Sequence, residues 1–221
     1  MFASCRLLLL VLLAVGLSAP ASAVPLTYTF SGQIDFVDAD LVAEAPPFAV
    51  GDPFQFVFSI DSAATGSVLA PGVVQYFPVT GISVTLNSAY ALSASAPDIE
   101  LSGSVSVQDG TPDQFQQNIQ VIPGTAPDLG SYRLMQVVTT FHDSTGSMFS
   151  STGLPTALDA GDFTGINSVQ MIFRNPGDLA DQRSVFGFAT LALVTVPEPT
   201  TAALLLGAAL LLTRVAHRRE G

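Results

Sequence analysis

The chain has 221 residues and a formal charge of −11, from 18 Asp and Glu against 7 Lys and Arg, and every cation is an arginine. Residues 24–195 hold three of the arginines and sixteen of the carboxylates, a formal −13. A surface that acidic repels phosphate backbones and so excludes a nucleic-acid partner. The absence of lysine also excludes Schiff-base chemistry and a P-loop.

The first element is an export signal. Arg6 supplies a positive start, Leu7 to Leu17 form an eleven-residue apolar run, and Ala21-Ser22-Ala23 gives the small-x-small pattern that signal peptidase accepts. Residues 1–23 therefore read as a signal peptide, a short helix cleaved after Ala23. Cys5, the one cysteine, lies within it, so the mature protein has neither disulfides nor thiolate chemistry.

Residues 24–195 read as a single all-β domain. Tyr28, Phe30, Ile34 and Phe36 alternate with polar neighbours, with Gly32 in the apolar register, and so do Phe54, Phe56, Phe58 and Ile60. Ile82, Val84 and Leu86, then Val169, Met171 and Phe173, repeat the period of two that marks a strand with one buried face. Further strands are expected at 73–77, 90–95, 99–107, 117–122, 131–141 and 184–195, the last central because both its faces are apolar. Turn signals such as Gly51-Asp52-Pro53 and Asn175-Pro176-Gly177-Asp178 separate them. Residues 178–183 could form a single helical turn, and Gly146 to Gly165 reads as a long surface loop, mobile or functional. About ten antiparallel strands without helices predict a two-sheet β-sandwich, jelly-roll-like.

The last element is a membrane segment. Thr200 to Thr213 carries no charge over 14 residues, about 21 Å as a helix. That is a short transmembrane span, extended by Val215, Ala216 and snorkelling arginines. Arg214, Arg218 and Arg219 follow it and would stay in the cytoplasm. Before it, Pro197 and Pro199 forbid helix and hold the backbone extended, as a protease cleft requires.

Val196-Pro197-Glu198-Pro199, then the short apolar helix, then a terminal arginine cluster, resembles the PEP-CTERM sorting domain over residues 196–221. The resemblance implies recognition by a membrane-embedded exosortase and processing near Pro197-Glu198-Pro199. It also implies biofilm-forming bacteria that make exopolysaccharide. The expected path is an inner-membrane intermediate with a cytoplasmic C-terminus, then the cell surface or extracellular space. The strands of residues 24–195 more loosely resemble the bodies of such proteins, for which no chemistry is assigned.

Candidate chemistry is sparse. Asp35, Asp38 and Asp40 form D-x-x-D-x-D, and Asp159 with Asp162 and Asp178 with Asp181 stand three apart, a pattern of hard oxygens that suits calcium. No other cofactor is expected, and acidic residues in turns more often serve turn geometry. His142 adjoins Asp143 and Ser144, but neighbours on a strand point apart, so no triad forms. Glu44 and Glu100 are the only glutamates available for glycoside hydrolysis, and no tryptophan exists to bind sugar. Sugar contact by Tyr28, Tyr76, Tyr90 or Tyr132 remains, although alternation puts Tyr28 in the core. The reading is an exported, non-enzymatic structural or adhesive protein associated with exopolysaccharide. The alternative is a carbohydrate-binding module.

Overall fold

The computed structural model describes residues 25–95, 103–121 and 126–196. Pro25–Pro197 form one compact unit. The cleavage residues Ala21 and Ala23, the motif Pro197, Glu198 and Pro199, and Arg214, Arg218 and Arg219 lie outside the described residues, as do the helices expected around them. Among the described residues, no helix is long and apolar enough to cross a membrane.

The domain is all-β and antiparallel. In chain order the strands are β1 (Pro25–Val37), β2 (Pro53–Asp61), β3 (Gly66–Ala70), β4 (Val73–Tyr76), β5 (Val79–Leu86) and β6 (Tyr90–Ser95). They continue as β7 (Ser104–Gln108), β8 (Asp113–Gln120), β9 (Asp128–Leu129), β10 (Tyr132–Asp143), β11 (Asn167–Asn175) and β12 (Asp178–Thr195). The expectation of two separate sheets is not what the ladders build. All twelve strands join one sheet in the order β3-β4-β7-β8-β10-β11-β12-β1-β2-β5-β6, with β9 on β10.

The sheet curls so that its two halves share one core. Phe30 of β1 meets Phe141 of β10 at 4.8 Å between ring centres, and Tyr28 meets Phe115 of β8 at 5.3 Å. Neither pair is joined by a direct ladder, so these contacts cross the inside of the curl. Alternation created that inside: Tyr28, Phe30, Phe56, Phe58, Phe115 and Phe141 are all fully buried. Burial of so many large rings supplies the main driving force for the fold.

β12 lies between β11 and β1 and ties the halves together, which agrees with its expected central place. It starts at Asp178, so residues 178–183 extend a strand rather than form a helical turn. Its apolar outer face is not covered, however: Phe188, Leu191 and Leu193 are exposed. Thr27 of β1 pairs with Thr195 of β12, so the two ends of the domain leave side by side. The register of the ladders puts the end of β10 and the start of β8 at this same terminal end.

Each mouth of the curl is plugged. At the far end, the short helix α1 (Ala39–Ala43) buries Leu41, and Phe48 packs on Tyr90 and Phe173. At the terminal end, residues 144–166 insert Leu158, Ala160 and Phe163, and Phe163 lies 5.0 Å from Phe141. This segment, expected as a surface loop, is tied to the core by its own side chains and by hydrogen bonds to strand residues.

Candidate binding surface

All four tyrosines are buried, which removes them as sugar contacts. Their hydroxyls pin loops instead. Tyr28 donates to Pro155 O at 2.8 Å and Tyr76 to Thr152 O at 2.7 Å, both within the plug at the terminal end. Burial pushes the Tyr28 phenol well above its ordinary range, so it stays protonated and keeps donating.

The strongest electrostatics lie beneath the same plug. Asp113 and Asp143 pair across β8 and β10 and are fully buried. Asp143 accepts the backbone N–H groups of Thr145 and Ser147 at 3.1 and 2.9 Å, and the Thr164 hydroxyl at 2.7 Å. These donors hold its carboxyl far below the usual range, the N–H of Ser147 most of all. Asp113 accepts from the N–H groups of Gly110 and Phe149, both at 2.8 Å. Sequence reasoning missed this pair because its signals, Asp-Gly-Thr-Pro-Asp and Asp-Ser-Thr-Gly-Ser, look like ordinary turns. His142 is half-buried one residue from the inward-facing Asp143, on the opposite face of the strand.

The calcium candidates are dispersed over the domain, and those that cluster do so around an arginine. Asp35 sits in a β1 bulge and accepts the Phe188 N–H at 2.9 Å. Asp38 caps α1 by accepting from the Asp40 N–H at 3.0 Å. Arg183 draws in Asp40 at 2.6 Å and Asp181 at 2.7 Å, with Asp38 further off at 3.7 Å, while its guanidinium lies over the Tyr132 ring. Asp159 caps a single 3₁₀ turn at Ala160–Asp162 through the Gly161 N–H. Asp159 and Asp162 do line one open cleft of about 520 Å³ with Ser147, Met148, Ala157 and Leu158. Among the described residues, no three His, Cys, Asp or Glu side chains group as metal ligands.

A different surface collects uncharged polar groups beside aromatic rings. An open groove of about 750 Å³ crosses β1, β2, β5 and β12, lined by Ser31, Gln33, Gln55, Thr85, Ser88 and Thr190 around Phe54 and Leu191. Among the described residues, no charged side chain lines it. Gln33 pairs with Phe188, which packs edge-on against Phe186 at 4.9 Å, and Phe186 pairs with Phe36. Phe36 and Phe188 are 49% and 48% exposed. Beyond them, Ser168 and Gln170 of β11 oppose Phe188 and Phe186, and Gln116, Asn118 and Thr140 continue the outer face on β8 and β10.

Compared with protein-family models, curated proteins and solved structures, the chain gives no match.

Proposed function

We propose that the protein is exported, held for a time at the inner membrane by its C-terminal helix, and sorted to the cell surface as a structural or adhesive component of the extracellular matrix. The observation that carries this is the three-part C-terminus: Val196-Pro197-Glu198-Pro199, an uncharged run from Thr200 to Thr213, and Arg214, Arg218 and Arg219. Two features of the domain support it. Its ends leave side by side, so the signal segment and the sorting segment are attached at the same place. Its carboxylates keep an apolar, lysine-free domain soluble. Signal peptidase and exosortase are the partners in this route.

Mass spectrometry of envelope and culture fractions tests the route. The mature protein should begin at Val24 and lack peptides C-terminal to Pro199. Recovery of mature chains that still end at Gly221 would overturn it.

A second reading, carbohydrate binding, is favoured by the outer surface of β1, β12 and β11. Rings such as Phe36 and Phe188 offer apolar faces to the C–H faces of a sugar, while Gln33, Gln55, Thr85 and Gln170 supply amide and hydroxyl hydrogen bonds. An uncharged groove on a strongly acidic domain selects a neutral glycan, because an acidic polymer would be repelled. Affinity electrophoresis decides it. Migration should slow in gels containing a neutral glucan or galactomannan, not in alginate, and Phe188→Ala should abolish the effect. Equal migration in all gels would remove the reading.

A further inference from the structure

The curled sheet is open, and its free edge at β3 carries neither charge nor proline. β3 pairs with β4 on one side, and its other side meets no strand among the described residues. None of its five residues is buried. Val68 is 74% exposed and Leu69 59%. A strand in this position presents a row of backbone N–H and C=O groups together with two apolar side chains. Natural edges are normally blunted by lysine, other charges, proline, short length or a β-bulge. Gly66-Ser67-Val68-Leu69-Ala70 carries no charge and no proline, although it is only five residues long. A register shift between Val68 and Ala70 leaves Leu69 out of the pairing with β4, a bulge that limits a further pairing to a few residues and keeps it weak.

The surroundings are equally unusual. Ser62 to Pro97, 36 residues, contains no charged side chain, although the remainder of the domain carries sixteen carboxylates. That stretch holds both sheet edges, β3 and β6. The second edge differs in character: Tyr90, Leu92 and Ala94 point into the core, and only Ala91, Ser93 and Ser95 are left to face outward. The edge with exposed apolar side chains is therefore β3.

We propose that β3 pairs antiparallel with β3 of a second copy of this chain, joining two curled sheets edge to edge. A strand is the occupant that satisfies a row of backbone donors and acceptors. A second copy fits because this edge is charge-free in a protein of formal charge −13 over residues 24–195. Like-charge repulsion between two such domains is reduced where both lack carboxylates, and of the uncharged surfaces this edge offers free backbone groups together with Val68 and Leu69. An antiparallel β3–β3 contact also uses the same five residues on each side, as a two-fold dimer requires. The contact is small, so association is weak, strengthens as salt screens the repulsion, and gains from crowding on a surface.

Sedimentation equilibrium of the full chain in mild detergent tests this, from micromolar to about 1 mM and at two salt concentrations. A monomer–dimer equilibrium that tightens with salt is expected. The double variant V68K/L69K should weaken it by about tenfold or more while leaving the melting temperature near that of the parent. Hydrogen exchange gives a second reading: amides of residues 66–70 should slow with concentration while those of 90–95 do not. A monomer throughout, a dimer indifferent to V68K/L69K, or protection confined to 90–95 would each overturn the proposal. Dimerisation through the C-terminal helix would appear as the second of these.

Discussion

The two mouths of the curled sheet are closed by the same kind of part and secured by opposite electrostatics. At the far end, Asp38, Asp40 and Asp181 surround Arg183, and the carboxylate of Asp40 is largely exposed. At the terminal end, Asp113 and Asp143 are buried and have no cation beside them among the described residues. Backbone N–H groups and hydroxyls from residues 110, 145, 147, 149 and 164 serve as counter-dipoles. An ion pair that water still reaches contributes little, because solvent screens its charges. A buried carboxylate is costly unless every lone pair is occupied, so once occupied it specifies one loop conformation. The terminal plug should therefore be the more specific and the more sensitive of the two.

Removing the apolar parts of each plug gives the largest effects. Phe163→Ala deletes a buried ring packed against Phe141 and should cost about 3–5 kcal/mol. Leu41→Ala at the far end should cost about 2–4 kcal/mol. Chemical denaturation with an unchanged slope checks both. A Leu41→Ala loss larger than that of Phe163→Ala would reverse the ranking of the two ends.

Asp143→Asn comes next and acts through pH. The folded carboxyl titrates below its ordinary value, so it contributes stability at pH values above the unfolded titration near about 4. That contribution is lost as pH falls below this point. The parent protein should therefore melt at progressively lower temperature between pH 5 and 3 (about the range of carboxyl titration). The variant should melt lower by about 5 °C or more at pH 7 and show a flatter acid limb. Parallel acid limbs in parent and variant would mean that Asp143 is not the group responsible.

Much of this comparison was hidden in the sequence for identifiable reasons. Strands with a buried face, such as β1, β2, β5 and β11, announce themselves by alternation. β3 buries no residue, so it carries no period, and it was not expected. Alternation also distinguishes inside from outside but not how ladders join, so a curled single sheet and two stacked sheets look alike. α1 is too short for a helical repeat, and Leu41 alone marks its inner face. Acidic residues in turns were legible as turn formers, which Asp38 and Asp159 are. Nothing local separates them from Asp113 and Asp143, whose burial follows from pairing at the ends of two long-range strands.

The smallest effect is expected at Arg183, and its salt dependence carries the argument. Arg183→Gln removes an ion pair and leaves Asp38, Asp40 and Asp181 close together without a counter-charge. The melting temperature should fall by about 2 °C or less at low salt. Raising salt screens both the attraction lost and the repulsion created, so the gap between parent and variant should narrow toward zero by about 0.5 M. The gap for Asp143→Asn should persist, because its donors are dipoles at hydrogen-bond distance in a water-excluded site. A salt-insensitive gap at Arg183 would show that its stacking over Tyr132, 5.5 Å from the ring centre, matters more than its charges. The far end would then be held by packing, as the terminal end is held by hydrogen bonds.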